Sequence, residues 1–89
     1  MPRYRRNPLT AGRVIDGQAF VVTPDDNKLH TLNDTATHLW TLAAQGLSPD
    51  EAARALSQEY EVDLDTARTD AVTCLDDMVA RQILLVDRP

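Results

Sequence analysis

The chain has 89 residues and a mass of 9.9 kDa, enough for one small domain. Fourteen acidic residues against nine basic ones leave a formal net charge of −5, which argues against a general binder of the nucleic-acid backbone. A single cysteine excludes a disulfide framework, and no apolar run approaches the roughly 18 residues of a membrane span. These features predict a soluble, cytoplasmic, single-domain protein.

The start of the chain differs in charge from the rest. The first thirteen residues contain four arginines and no acidic residue. Because apolar periodicity is missing there, residues 1–12 are predicted to form a flexible basic arm. The simplest interpretation of that arm is a solvated tail, and the alternative is a basic tether for an acidic peptide or protein. The folded domain is then expected over residues 13–86, with a tail at 87–89.

Three short segments rich in β-branched and aromatic residues predict three strands. The first, Arg13–Ile15, is separated from the second, Gln18–Thr23, by an Asp-Gly pair, which is a strong signal for a two-residue hairpin. A Pro-Asp-Asp-Asn turn then leads to the third strand, Lys28–Leu32. The pattern predicts an antiparallel meander of strand order 1-2-3.

The remaining residues have the helical period, and three N-caps mark three helices: Asn33, Ser48 and Asp63. Each predicted helix carries an apolar stripe. The members of the first two stripes are Ala36, Leu39, Trp40 and Ala43, followed by Ala52, Ala53, Leu56 and Tyr60. The third helix is predicted over residues 64–82, and the apolar segment 83–86 is expected to pack back on the core. Strands followed by helices predict an α+β fold resembling a winged helix-turn-helix domain.

No group of residues has the pattern of a catalytic or metal site. Cys74 has acidic residues one turn away on either side, which disfavour its thiolate, so a buried structural thiol is the favoured interpretation. His30 and His38 are not spaced as a ligand pair, and His38 is expected to be exposed. Asp76 and Asp77 point about 100° apart on a helix and do not converge. The chain is predicted not to be an enzyme and to need no metal or cofactor.

A winged-helix shape raises the alternative of a DNA-binding transcriptional regulator. The third helix would be the one that reads the groove. This helix carries four aspartates and two arginines: Asp65, Asp70, Asp76, Asp77, Arg68 and Arg81. Because this acidic balance opposes entry into the DNA groove, only weak binding without sequence preference is expected.

A partner site is predicted at the edge of the meander. The third strand has no proline and one charge, Lys28, so its outer backbone groups are open to an added peptide strand. A second stripe on the third helix would wall a groove along that edge. This stripe comprises Arg68, Val72, Asp76 and Val79. The alternatives are that the third helix covers the edge, or that a second copy of the chain pairs with it as a homodimer.

Several short segments, taken together, resemble the PqqD-like family over about residues 13–86. They are Leu32-Asn33, Leu39-Trp40, Gly46, the link Tyr60-Glu61-Val62-Asp63 and the run Leu75-Asp76-Asp77-Met78. One departure is Gln82, which stands where the family usually has glycine before its closing aliphatic residues. A residue other than glycine fits there if the third helix ends without a left-handed residue.

The resemblance implies a RiPP recognition element, a non-catalytic chaperone for ribosomally synthesised precursor peptides. Such a domain holds the leader of the precursor as an added strand between the third strand and the third helix. It presents the peptide to a modifying enzyme, either a radical SAM protein or a leader peptidase or cyclase, and involves no nucleic acid or membrane. The residues that this implies are Lys28, Leu29, His30, Thr31 and Leu32 on the strand, and Arg68, Val72, Leu75, Asp76 and Val79 on the helix. The pathway, whether pyrroloquinoline quinone, lasso peptide or another, is left open.

Overall fold

In the computed structural model, which describes residues 2–88, helices pack on one face of a small antiparallel sheet. In chain order the elements are β1 (Arg3–Arg6), β2 (Ala11–Ile15), β3 (Gln18–Thr23), β4 (Lys28–Thr31), α1 (Asp34–Leu42), α2 (Pro49–Tyr60), α3 (Leu64–Ala80) and β5 (Leu84–Asp87). A 3-10 turn, Ala43–Gln45, joins α1 to α2. The predicted α+β class, with a three-stranded antiparallel sheet before three helices, is confirmed.

The three-stranded sheet has the predicted order, with β3 between β2 and β4. Asp16 and Gly17 both have positive φ, at 51° and 80°, and connect β2 to β3 through the tight hairpin that the Asp-Gly pair predicts. Val21 lies opposite His30 in the second pairing. Side chains alternate along β3, so that Ala19, Val21 and Thr23 are buried while their neighbours are not.

The predicted flexible arm is wrong for residues 3–6. They form β1, which pairs antiparallel with β5 so that Tyr4 lies opposite Val86. Tyr4 also exchanges two backbone hydrogen bonds of 2.8 Å with Leu47, and its side chain is buried. A strand with one apolar residue among three arginines has little local signal, and its partner is at the other end of the chain. Asp87, assigned by sequence to a tail, ends β5; Met1 and Pro89 lie outside the described residues.

All three predicted N-caps are confirmed. Asn33 and Asp63 each accept the backbone N–H three residues ahead at 2.8 Å, and Ser48 forms a reciprocal capping box with Glu51. The predicted stripe of α2 is buried except for Tyr60, which is exposed because the helix ends there. Within residues 2–88, no helix is long and apolar enough to cross a membrane.

The core lies between the helices and the inner face of the sheet. Its largest fully buried apolar side chains are Leu39, Leu75, Met78, Ile83, Leu84 and Val21. Gly12 of β2 leaves room for the indole of Trp40 on α1, because a Cβ at that position would lie 2.6 Å from Cζ2 of Trp40. Arg6 covers the same indole, with its guanidinium carbon 3.6 Å from the ring centroid.

The end of α3 differs from the sequence expectation. Gln82 has φ 65°, so the helix does end with a left-handed residue although no glycine is present. The N–H of Gln82 donates to Val79 O, and the N–H of Ile83 donates to Met78 O, both at 2.9 Å. These two bonds form a Schellman motif, in which Ile83 is placed in the core beside Met78.

Candidate functional site

The outer edge of β4 carries unpaired backbone groups. Leu32 donates its N–H to Ala19 O of β3 at 2.9 Å. Because backbone groups alternate in an antiparallel pair, Leu29 and Thr31 direct their N–H and C=O groups away from β3. In the part of the chain that the structure describes, no strand pairs with that side of β4. Leu29 is 63% exposed, so little of this residue is covered.

The other residues predicted to bind on β4, or directly after it, divide into two groups. Lys28 is exposed at the start of the strand, whereas the side chains of His30 and Leu32 are turned into the protein. The imidazole Nε2 of His30 lies 3.0 Å from Thr23 Oγ1, and that hydroxyl is also bonded to Asp26. The hydrogen bond from Thr23 lowers the pKa of the Asp26 carboxyl. His30 therefore ties β4 to β3 and does not face the open edge.

A cleft of about 110 Å³ lies beside the end of β4. Its volume is several times the roughly 30 Å³ that a water molecule occupies in the liquid. It is lined by Thr31, Leu32, Asn33 and Ala36 on one side and by Asp77, Met78 and Arg81 of α3 on the other. Leu32, Ala36 and Met78 are buried and apolar, while Asp77 and Arg81 form an exposed ion pair of 3.0 Å. The cleft thus has an apolar floor and a charged rim.

The predicted helix stripe lies on the other flank of α3. Arg68 forms an ion pair with Asp50 of α2, and Asp76 accepts a 2.7 Å hydrogen bond from the Tyr4 hydroxyl of β1. Val72 shares this flank by its helical spacing, and the half-buried Val79 packs against the core. The sequence prediction that this stripe faces β4 is therefore wrong in its placement.

The groove differs from the expected one at three further residues of α3. Leu75 is fully buried and belongs to the core, as its apolar stripe predicts. Asp77 and Arg81, which sequence reasoning missed, are the charged side chains that α3 presents to the cleft. Asp77 and Arg81 are four residues apart and have opposite charges, and this spacing is a sequence signal for an ion pair on that flank of α3.

The chemistry of this flank is unreactive. Cys74 lies one turn before Asp77 and packs half-buried against the core. Burial, and to a lesser extent the charge of Asp77, raises the pKa of the Cys74 thiol to about 11, so the thiol is neutral near pH 7. His38, expected to be exposed, is half-buried. Among residues 2–88, no group of three or more His, Cys, Asp or Glu side chains is placed to hold a metal ion.

The fold and this edge define a class of small α+β domain, in which a three-stranded sheet ends in an open strand beside a long helix. The sequence model of the family described as coenzyme PQQ synthesis protein D (PqqD) matches residues 18–84, about three quarters of the chain. The chain belongs to the PqqD family. No curated protein gives a significant match.

Two solved structures share the fold over nearly their whole length. One is TbiB1 in complex with the TbiA(beta) leader peptide, with a TM-score of 0.82 and 21% identity, covering 90% of this chain and 93% of that one. The other is lasso peptide synthetase B1 complexed with the leader peptide, with a TM-score of 0.80 and 24% identity, covering 92% of this chain and 96% of that one. At this level of identity the similarity establishes the fold.

Proposed function

We propose that the chain is a RiPP recognition element that captures a leader peptide by adding it as a strand to β4. The observation that carries the proposal is the outward-facing backbone of Leu29 and Thr31 beside an apolar-floored cleft. Membership of the PqqD family supports it. So does the shared fold of two proteins whose structures are complexes with leader peptides.

The edge and the cleft would make different contributions to peptide binding. The backbone groups of Leu29 and Thr31 would form main-chain hydrogen bonds with an antiparallel strand, and these bonds depend little on the peptide sequence. Because side chains alternate along an added strand, every second one would point toward the cleft beside Met78. A short strand with one apolar anchor buries less than a standard interface, so dissociation constants of roughly 0.01–10 μM are expected.

The bound peptide would then be modified by another protein. We infer a non-catalytic role because the neutral Cys74 thiol and the inward-facing His30 do not converge on the cleft. The partner would be a radical SAM protein, or a leader peptidase or cyclase, and the precursor would be met in the cytoplasm, where ribosomal peptides are made.

The test is a titration of fluorescently labelled leader peptides, synthesised for the candidate precursors of the same genome. Thr31→Pro removes a backbone N–H that points away from β3, and it leaves the hydrogen bonds between β3 and β4 intact. We therefore expect a native circular-dichroism spectrum and leader binding that is at least about tenfold weaker. Val14→Pro is the matched control, because Val14 has the equivalent outward position on the opposite edge strand, β2. We expect it to leave the affinity within about twofold.

Two results would contradict the proposal. One is unchanged leader affinity in a folded Thr31→Pro variant, and the other is an equal loss in Val14→Pro with amide shifts along β2. A second copy of the chain is the competing occupant of the same edge. If the chain is a homodimer through β4, sedimentation will show a dimer that Thr31→Pro dissociates, whereas we expect a monomer at tens of micromolar.

A further inference from the structure

The β1–β5 ribbon concentrates positive charge on an otherwise acidic molecule. Four of the nine basic residues lie on it or directly after it, with Asp87 as its one carboxylate: Arg3, Arg5, Arg6 and Arg88. The remainder of the chain has five basic and thirteen acidic residues. The two ends of the chain, which are far apart in sequence, are brought together by the pairing of β1 with β5. The fold therefore creates a local basic surface, which the negative net charge of the whole chain does not reveal.

This basic surface borders a cleft of about 580 Å³, several times larger than the cleft beside β4. The cleft lies between the ribbon and the turn that follows α1. Its lining residues are Arg3, Arg5, Ala44, Gln45, Gly46, Asp87 and Arg88. Arg3 and Arg5 flank the buried Tyr4, so strand alternation directs both away from the core. Gly46 has no side chain to displace Arg3, whose Nη2 would lie 3.2 Å from a Cβ at that position.

The arginines keep donors for a ligand. Arg3 Nη1 lies 3.3 Å from Glu51, and Arg5 Nε donates to Asp87 at 2.8 Å, so each of these contacts engages one nitrogen of a guanidinium group that has five N–H donors. Both guanidinium side chains are about half exposed. Exposed ion pairs contribute little to stability, so an incoming carboxylate can exchange for the internal one at little cost. Arg6 differs, because it is held on Trp40.

We propose that the cleft bordered by Arg3, Arg5 and Arg88 binds an acidic stretch of polypeptide on a partner protein. Carboxylates suit guanidinium groups because the fork of N–H donors matches two oxygens. A long polyanion such as duplex DNA suits the surface less, because its further phosphates would meet the acidic remainder of the molecule.

The location of the cleft allows it to act together with the proposed peptide edge. β1 contacts the flank of α3 that carries Asp76, whereas β4 is next to the flank that carries Asp77 and Arg81. The two surfaces lie on opposite flanks of one helix, so a leader strand on β4 leaves the basic cleft open. This second surface goes beyond leader capture and does not depend on it.

A labelled hexaglutamate peptide is the probe, titrated into the full chain at 50 mM salt. We expect saturable binding with amide shifts at residues 3–6, 44–46 and 87–88. Arg3→Gln and Arg5→Gln should each weaken binding about five- to tenfold, because each removes a charged hydrogen-bond donor from the cleft. Arg13→Gln is the matched control, because it removes the same charge from an exposed position on β2, outside the lining of the cleft, and it should change the affinity less than twofold.

The outcomes that overturn the proposal are distinct. An equal loss in Arg13→Gln would mean that the probe responds to net charge alone. Tighter binding of a 12-base-pair duplex or of anionic lipid vesicles at the same salt would assign the surface to another kind of partner. Absence of saturable binding would remove the site. Circular dichroism of each variant confirms the native fold before titration.

Discussion

Gln82 holds a conformation that glycine adopts more easily. A left-handed residue with a Cβ costs about 1 kcal/mol, and Gln82 has φ 65° at the end of α3. Gln82→Gly is therefore expected to raise the free energy of unfolding by about 0.5–1 kcal/mol in urea denaturation. Gln82→Ala keeps the Cβ and should give no gain. Equal stabilisation by alanine would show that the side chain, and not the backbone, is responsible.

Cys74 is expected to react slowly with alkylating agents. Because burial raises its thiol pKa to about 11 from an ordinary value of 9.0, the thiolate fraction at pH 8 is roughly 100-fold lower than that of a free cysteine. The rate with iodoacetamide should rise about tenfold per pH unit up to pH 10. The denatured chain supplies the fast reference rate. A plateau of the native rate near pH 9 would contradict the burial of this thiol.

At the scale of elements, β1 is expected to contribute strongly to stability. Tyr4 is 3% exposed between Leu47 and β5, and its hydroxyl donates to Asp76. Tyr4→Ala should lower the free energy of unfolding by about 3–5 kcal/mol, as for other large aromatic truncations in cores. Arg5→Ala, the exposed neighbour on the same strand, should cost less than about 1 kcal/mol. A flexible arm would instead predict no loss from either substitution.

The same strand should make stability depend on alkaline pH. Burial, followed by the hydrogen bond to Asp76, raises the pKa of Tyr4 above 10.0. Because the folded-state pKa is the higher one, the contribution of Tyr4 is complete below about pH 10 and is lost as the pH rises through the folded pKa. The free energy of unfolding should therefore fall more steeply between pH 9 and 11 in the original chain than in Tyr4→Phe. Cys74 is present in both proteins and contributes equally to the two pH profiles. Equal slopes of the free energy of unfolding against pH in the two proteins would contradict this coupling.

For the whole molecule, the separation of charge predicts poor DNA binding. The helix that a winged-helix regulator would place in the groove has Asp76 and Asp77 on it, and the basic ribbon lies elsewhere, on β1 and β5. Duplex DNA should therefore bind weakly and without sequence preference at physiological salt. Selection from a pool of random duplexes is the measurement. Recovery of a shared motif would favour the regulator alternative over peptide binding.

The features that depend on neighbouring residues could be predicted from the sequence. Asn33, Ser48 and Asp63 begin helices through hydrogen bonds that span three residues, and the Asp-Gly pair closes the β2–β3 hairpin. The meander order and the open edge of β4 follow from these short connections. The buried stripe of α3 also follows, because helical spacing places Ala71, Leu75 and Met78 on one face.

The sequence by itself therefore determined the local elements and the strand that lies at the open edge of the sheet. The tertiary structure alone decided which flank of α3 faces that edge. By helical spacing, the stripe that includes Arg68 and Val79 lies on one side of the buried face of α3, and the Asp77–Arg81 pair lies on the other side. Because α2 and β1 pack against the flank with the stripe, the flank with Asp77 and Arg81 is the one that lies next to β4. The pairing of β1 with β5 was hidden for the same reason. Its hydrogen bonds join residues about 80 positions apart, and no pattern within either segment records such a partner.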